Sequence, residues 1–231
     1  AFWPLRRDSS HSFSHLEMSE PVTASTVLPA SSVLQILNCR EGGKIDVHSR
    51  TNGLARQYKV MREDGTSGAV LVWSGRNVMD SQNLMGAFQD NSRGKFRSIK
   101  GNRHFQVAEP CTQVSFETSG RSADDAKAVL VINGSLTTGE SAKQFFAAAQ
   151  AEEGGATLGR TFGAISGVIA KIFLQSIQGG VIGGCYLFSD AQSVDDYLAS
   201  DTWASAKADT PWENVSVEKY TVLDDEPAPS A

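Results

Sequence analysis

Residues Gly183 to Ser200 read GGCYLFSDAQSVDDYLAS. The reading of this stretch decides the fold. A short apolar strand, Cys185-Tyr186-Leu187-Phe188, runs into Ser189-Asp190. Either of these two can cap a following helix, and Gln192, three residues after Ser189, completes a capping-box pattern. Val194, Tyr197 and Leu198 then recur at helical spacing. The stretch is therefore strand, tight turn, helix.

A weaker twin lies upstream. Gly68 to Ser81 reads GAVLVWSGRNVMDS. Setting Trp73 on Phe188 places Val72 on Leu187, Ser74 on Ser189, Gly68 on Gly183 and Asp80 on Asp195. Each copy is preceded by an apolar strand that ends in Asn: Val33 to Asn38 and Ala128 to Asn133. The pattern is that of a diverged tandem repeat.

At 231 residues the chain holds one large or two small domains. The net charge is −5 but unevenly spread. Residues 1–119 carry 14 Lys+Arg against 11 Asp+Glu, or +3, and residues 120–231 carry 7 against 15, or −8. This balance argues against nucleic acid as a partner. Cys39, Cys111 and Cys185 are odd in number and far apart, with neither metal-ligand spacing nor a disulfide framework, and they read as small buried hydrophobes. The charge-free window from Ile172 to Ser189 reaches spanning length, but Gln175, Ser176, Gln178 and Gly179-Gly180 break it. A hairpin is expected there rather than a transmembrane helix.

Along the chain, residues 1–30 read as an extension, 31–116 as a first unit, 117–127 as a linker, 128–223 as a second unit and 224–231 as an acidic tail. In the first unit, strands are expected at 31–38, 54–62 and 68–73, with the turn Glu63-Asp64-Gly65 between the last two. A short helix is possible from Glu41 to Gly53. A helix follows at 77–88 with Val78, Leu84, Met85 and Phe88 inward. Phe105 to Phe116 reads as a strand interrupted by Pro110. In the second unit, strands are expected at 128–136, 167–176, 183–189 and 215–223. Thr137 and Glu140 form a capping-box signal for a helix over 141–153, with Phe145, Phe146 and Ala149 inward. The helix after Asp190 continues through a turn containing Trp203 to Pro211.

The order in 128–223 is β-α-β-β-α-β, a ferredoxin-like unit whose helices cover one sheet face. The other face is apolar and needs a cover, and a second unit in the same chain supplies it. The expected fold is α+β, two ferredoxin-like units forming a pseudo-dimeric α+β barrel.

The run Gly183 to Asp190, with Tyr197-Leu198 on the next helix, resembles the dimeric α+β barrel superfamily. The likeness is strongest to the YdhR-type mono-oxygenases and the wider antibiotic-biosynthesis mono-oxygenase group. It covers residues 128–223, and residues 31–116 share it only through the weak repeat. The resemblance implies a ligand pocket between sheet and helices. It also implies activities such as quinone-forming oxygenation of polycyclic phenols without metal or flavin, or haem degradation. For the haem branch, Asn133 and more loosely Asn38 match the Asn of the first strand. Tyr197 stands in place of a Trp, however, and Lys207 roughly in place of the axial His, so haem turnover is not expected. No cofactor is expected.

Candidate catalytic residues are Asn133, Tyr186, Tyr197 and Trp203, with Asn38, Tyr58 and Trp73 in the first half. Core packing is the plainer role for Tyr186, Trp73 and Trp203, and strand termination for the two Asn residues. Candidate partner-binding residues are Phe2 and Trp3, two aromatics at a terminus, and Arg93, Lys95, Arg97, Lys100 and Arg103, five cations in eleven residues. They suit another protein subunit or an anionic membrane surface, or docking onto the acidic half of the same chain. Two functions follow. One is a non-catalytic structural or assembly subunit of a larger complex, such as an organellar photosystem. The alternative is a cofactor-independent mono-oxygenase or small apolar-ligand-binding protein. The start at Ala1 fits a processed plastid protein, with the cytoplasm as the other location.

Overall fold

The computed structural model describes residues 28, 31–40, 53–85, 99–108, 116–117, 121–153, 162–176 and 179–223. Phe2, Trp3, Arg93, Lys95, Arg97, Cys111, the Glu41–Asn52 segment and the acidic tail lie outside them, as do Gly154-Gly155.

The first half contains β1 (Val33–Cys39), β2 (Leu54–Arg62), β3 (Ser67–Trp73), α1 (Arg76–Met85) and β4 (Ile99–Val107). A two-residue strand β5 (Phe116–Glu117) and a 3-10 turn at Ala123–Asp125 lead to the second half. There follow β6 (Ala128–Leu136), α2 (Ala142–Glu153), β7 (Val168–Gln175), β8 (Val181–Phe188), α3 (Ala191–Leu198), α4 (Asp201–Asp209) and β9 (Trp212–Val222).

All strands belong to one sheet in the order β4-β1-β3-β2-β9-β6-β8-β7-β5, and β4 also pairs with β7. The eight longer strands thus close into a barrel, and every ladder is antiparallel. Within each half the order is fourth, first, third, second strand, the order of a ferredoxin-like unit. The two halves join at β2–β9, through Val60↔Val222, and at β4–β7, through Val107↔Leu174. Closure leaves few free edges. The registers also correspond. Asn38 faces Gly68 across β1–β3, and Asn133 faces Gly183 across β6–β8.

The pleat sorts each strand into two faces. Leu34, Ile36, Val70, Val72, Val129, Val131, Cys185 and Leu187 point inward and fill the barrel with residues from both halves. Leu28, Ala123 and Ala126 join that core. The extension and linker of the sequence reading therefore each supply core residues. On the outside of the second half, α2, α3 and α4 cover Leu130, Ile132, Phe173, Tyr186 and Phe188. On the outside of the first half, α1 packs by Met79 against Leu37, Leu71 and Trp73. Among the described side chains of that helix Met79 is buried, and Val78 is half-buried.

The cap of α2 differs from the expected one, while Asp190, one of the two expected candidates, caps α3. Ser141 and Gln144 cap α2 reciprocally, with Gln144 N–H donating to Ser141 Oγ at 3.3 Å and Ser141 N–H donating to Gln144 Oε1 at 3.0 Å. Thr137 instead donates its hydroxyl to Pro211 O. Asp190 caps α3 by accepting from Ser193 N–H at 2.7 Å, while Gln192 reaches Asp196.

The expected basic loop is also corrected. Its last part is strand β4. Arg103 spans the barrel interior to Glu218 on β9, four strands away round the barrel, in a bidentate pair of 2.5 and 2.7 Å. Tyr220 Oη donates to the same carboxylate at 2.7 Å and lies 3.5 Å from Asn38 Oδ1. Of the basic stretch, Arg103 thus pairs with the acidic half of its own chain. Lys100 remains exposed on β4.

Candidate active site

The helices of the second half do not seal the outer sheet face completely. A cleft runs between β6, β7 and β8 on one side and α2, α4 and the start of β9 on the other. The space between its walls is about 580 Å³, counted out to the open mouth. Seven rings line it: Phe145 and Phe146 from α2, Phe162, Phe173 from β7, Tyr186 from β8, Trp203 from α4 and Trp212 from β9. Ring contacts run continuously through it. Phe146 meets Phe173 edge-on at 5.9 Å, Phe162 meets Phe173 at 5.8 Å, and Trp203 meets Trp212 at 6.2 Å. Such edge-to-face contacts fix the wall geometry beyond simple burial.

Local backbone features place these rings. Outward-facing residues of β9 would normally fall two apart, yet Val215 and Trp212 both belong to the outer core. The β6–β9 register shifts between Asn133 and Ser135, and Asn214 has φ 52°. This bulge changes the parity of the strand and turns Trp212 toward the cleft. Gly134 opposite leaves room for the indole, since a Cβ there would stand 3.1 Å from Trp212 Cε3.

Tyr186 is the tyrosine of the wall, and Tyr197 packs against it without lining the cleft. Tyr197 Oη donates to Tyr186 Oη at 3.3 Å, with ring centroids 5.4 Å apart. Burial pushes the Tyr186 hydroxyl well above the usual tyrosine range, with the Tyr197 hydroxyl beside it adding to the shift. Burial raises Tyr197 as well, partly offset by its bond to Tyr186. Both are neutral phenols at neutral pH and act as hydrogen-bond donors, not bases.

Lys171 on β7, 4% exposed, and Thr210 are further polar residues of the wall. The Lys171 ammonium nitrogen lies 2.9 Å from the Phe162 ring centroid, 4.1 Å from that of Phe173 and 4.6 Å from that of Tyr186. Ring faces attract a cation and offset part of its desolvation. Gly184 gives the side chain its path, since a Cβ there would stand 3.2 Å from Lys171 Cε.

The structure brings Tyr186, Tyr197 and Trp203 together around this cleft and places Asn133 elsewhere. Asn133 follows Val129 and Val131 on the inner face of β6, away from the cleft, and its side-chain NH2 has no hydrogen-bond partner among the described residues. Asn38 also faces the barrel interior, beside Tyr220. Tyr58 donates to Ala123 O at 3.0 Å, and Trp73 Nε1 donates to Gln35 Oε1 at 2.9 Å, both inside packed cores. Lys207 is exposed on α4 and does not line the cleft. The described lining side chains include no imidazole, thiolate or carboxylate, so they do not fit a metal or a haem axial ligand. Among the described residues no group of His, Cys, Asp and Glu could hold a metal ion. Cys185 lies inside the barrel core, where burial pushes its thiol up to about 12 and leaves it unreactive.

Lys171 was missed in the sequence. Its signal was there: a single cation inside the strand GVIAKIFLQ. That strand is buried along its whole length, so its lysine has to be buried too.

A closed α+β barrel of two ferredoxin-like units, with a ring-lined cleft under the helices of one of them, defines a mono-oxygenase-like class of fold. In sequence, residues 141–228 match the family described as Putative mono-oxygenase ydhR. That segment contributes α2, β7, β8, α3, α4 and β9, most of the cleft wall. No curated protein matches the chain in sequence. Among solved structures, it is similar to a monooxygenase described as putative from Fusobacterium nucleatum, at TM-score 0.55 and 12% identity over 85% of this chain and 94% of that one. It is similar to an anthrone oxidase-like protein at TM-score 0.53 and 11% identity, over 87% and 96%. A monooxygenase described as putative from Lactobacillus acidophilus gives TM-score 0.53 and 9% identity, over 83% and 93%. At these identities the likeness is one of fold. It extends over both halves of the chain, within single chains.

Proposed function

We propose that the cleft of the second unit binds a small, largely apolar, ring-bearing molecule, and that cofactor-independent mono-oxygenation of such a molecule is its activity. The observation that carries this reading is the ring-lined cleft, built largely from the segment that matches the mono-oxygenase family. The walls offer flat apolar contact, and Tyr186 and Lys171 offer a hydrogen bond and a positive charge at one place. Pockets of this kind orient a ligand with few polar groups. One chain supplies both units of the barrel, so the site needs no second copy to complete its fold.

The expected role as a complex subunit is less well supported. Arg103 is engaged inside the barrel, and neither the family match nor the fold points to an assembly role or to a plastid.

The test is a panel of polycyclic phenols and anthrones, added to the full chain in chelator-treated, flavin-free buffer. Oxygen uptake is followed together with quinone absorbance. Conversion of anthrone to anthraquinone consumes one O2 and releases one water, so uptake and quinone should appear in equal amounts. Turnover that falls at least tenfold in Tyr186→Phe supports the oxygenase. Saturable binding without uptake restricts the function to ligand binding. No binding of any ring-bearing probe overturns the proposal.

A further inference from the structure

We infer that Thr210 is a specificity-determining residue of the cleft, selecting flat ring-bearing ligands that present a second hydrogen-bonding oxygen, beyond the one at Tyr186, to the turn between α4 and β9. This rests on the cleft being the ligand site, and not on oxygenation. Thr210 lines the cleft and is only 7% exposed. It stands at the C-terminal cap of α4, across the cleft from the sheet wall that carries Tyr186 on β8. The backbone around it is pinned. Its N–H donates to Ala206 O at 3.3 Å, and its carbonyl accepts from Trp212 N–H at 2.8 Å. Between them, Pro211 O accepts from the N–H of Thr137 at 2.9 Å and from its hydroxyl at 3.1 Å. The proline ring fixes φ at the centre of this turn. The Thr210 hydroxyl, by contrast, has no hydrogen-bond partner among the described residues.

A hydroxyl both donates and accepts, so it serves a ligand hydroxyl or a ligand carbonyl equally. In the free protein the open mouth admits solvent to the cleft. A ligand that fills the cleft with only carbon at this edge displaces that solvent and leaves the hydroxyl unpaired, which is costly for a buried polar group. A site of this kind rejects the analogue lacking the oxygen more sharply than an apolar wall rejects an added methyl group. Neighbouring lining residues do not duplicate the role. Ala206 has no polar side-chain atom, and the Trp212 indole N–H is given to Lys207 O.

The probes are naphthalene-2,6-diol and 6-methyl-2-naphthol, which exchange one hydroxyl for a methyl group of similar size, measured by calorimetry on the full chain at pH 7. Wild type should bind the diol about tenfold or more tightly than the methyl compound. Thr210→Val, of nearly the same shape, should bring the two affinities within about threefold of each other without weakening 6-methyl-2-naphthol, and Thr210→Ser should keep the preference. Should Thr210→Val fail to fold, Thr210→Ala takes its place, and the wild-type ratio must hold in either case. Equal affinity of wild type for the two probes overturns the inference and leaves the cleft as a ligand site. A preference that survives in the variant, or a parallel loss of both probes, overturns the role of Thr210. If neither probe binds at millimolar concentration, the cleft reading falls, and the inference falls with it.

Discussion

Replacing Glu218 by Gln tests how the barrel is held together. Glu218 is the acceptor of a bidentate pair with Arg103 that crosses the barrel between the last strands of the two units. The variant keeps the shape of the side chain and removes its charge, leaving the guanidinium without its counter-ion. Losing one partner of a buried pair costs about 3–5 kcal/mol. The Glu218 side chain is 10% exposed, but that of Arg103 is 36% exposed, so solvent screens part of the loss. The expected cost is about 2 kcal/mol, which moves a urea midpoint down by about 1 M for a typical slope. The pH dependence is a second reading of the same pair. Burial alone would raise the Glu218 carboxyl, but the hydrogen bonds from Arg103 and Tyr220 outweigh it and hold it below the usual glutamate range. A carboxyl lowered in the folded state contributes fully above its unfolded pKa, and the contribution disappears as pH falls through the folded value. The gap between wild type and Glu218→Gln should therefore be full at pH 7 and close at acid pH. Urea melts at pH 7 and pH 3, followed by circular dichroism, measure both. A midpoint shift below about 0.2 M at pH 7, or an equal shift at both pH values, refutes the reasoning.

The remaining predictions concern the second unit. Phe146→Ala should destabilise by about 3–5 kcal/mol in urea unfolding, because the ring is 4% exposed and packs edge-on against Phe173; Leu198→Ala, at a partly buried position, should cost less. Gly183→Ala should cost about 1–3 kcal/mol or more, since its Cβ would stand 2.2 Å from Ile132 O, a backbone atom that cannot swing aside. Asp190→Ala should cost about 1 kcal/mol through loss of the cap on α3, while Gln192→Ala should be near neutral. Thermal melts of the pair of variants rank them.

Much of the strand plan was legible because alternation and turn residues act locally. β2 was read at 54–62, and β3, β6, β7 and β8 to within two residues. Gly68 and Gly183, which the repeat sets on one another, each stand opposite the Asn that ends the preceding apolar strand, Asn38 and Asn133. Three things were not legible. The Asn214 bulge extends β9 back to Trp212, and a one-residue change of parity leaves no mark in composition. The Arg103–Glu218 pair joins residues 115 apart, so only barrel closure brings them together. Candidate site residues were half resolved for the same reason. Tyr186, Tyr197 and Trp203 share the outer face of their unit, whereas Asn133 sits on the opposite face of a strand whose two faces are both apolar. Pattern alone does not say which face is the cleft.

The most direct measurement is a crystal structure of the full chain soaked with naphthalene-2-methanol, a neutral probe indifferent to the charge of Lys171. The ligand should lie between β8 and α4, its rings against Phe146, Phe173 and Trp212 and its hydroxyl near Tyr186. Density for the probe inside the barrel, beside Asn133 and Arg103, or an unchanged cleft at saturating probe would contradict the claim that the second unit's cleft is the ligand site.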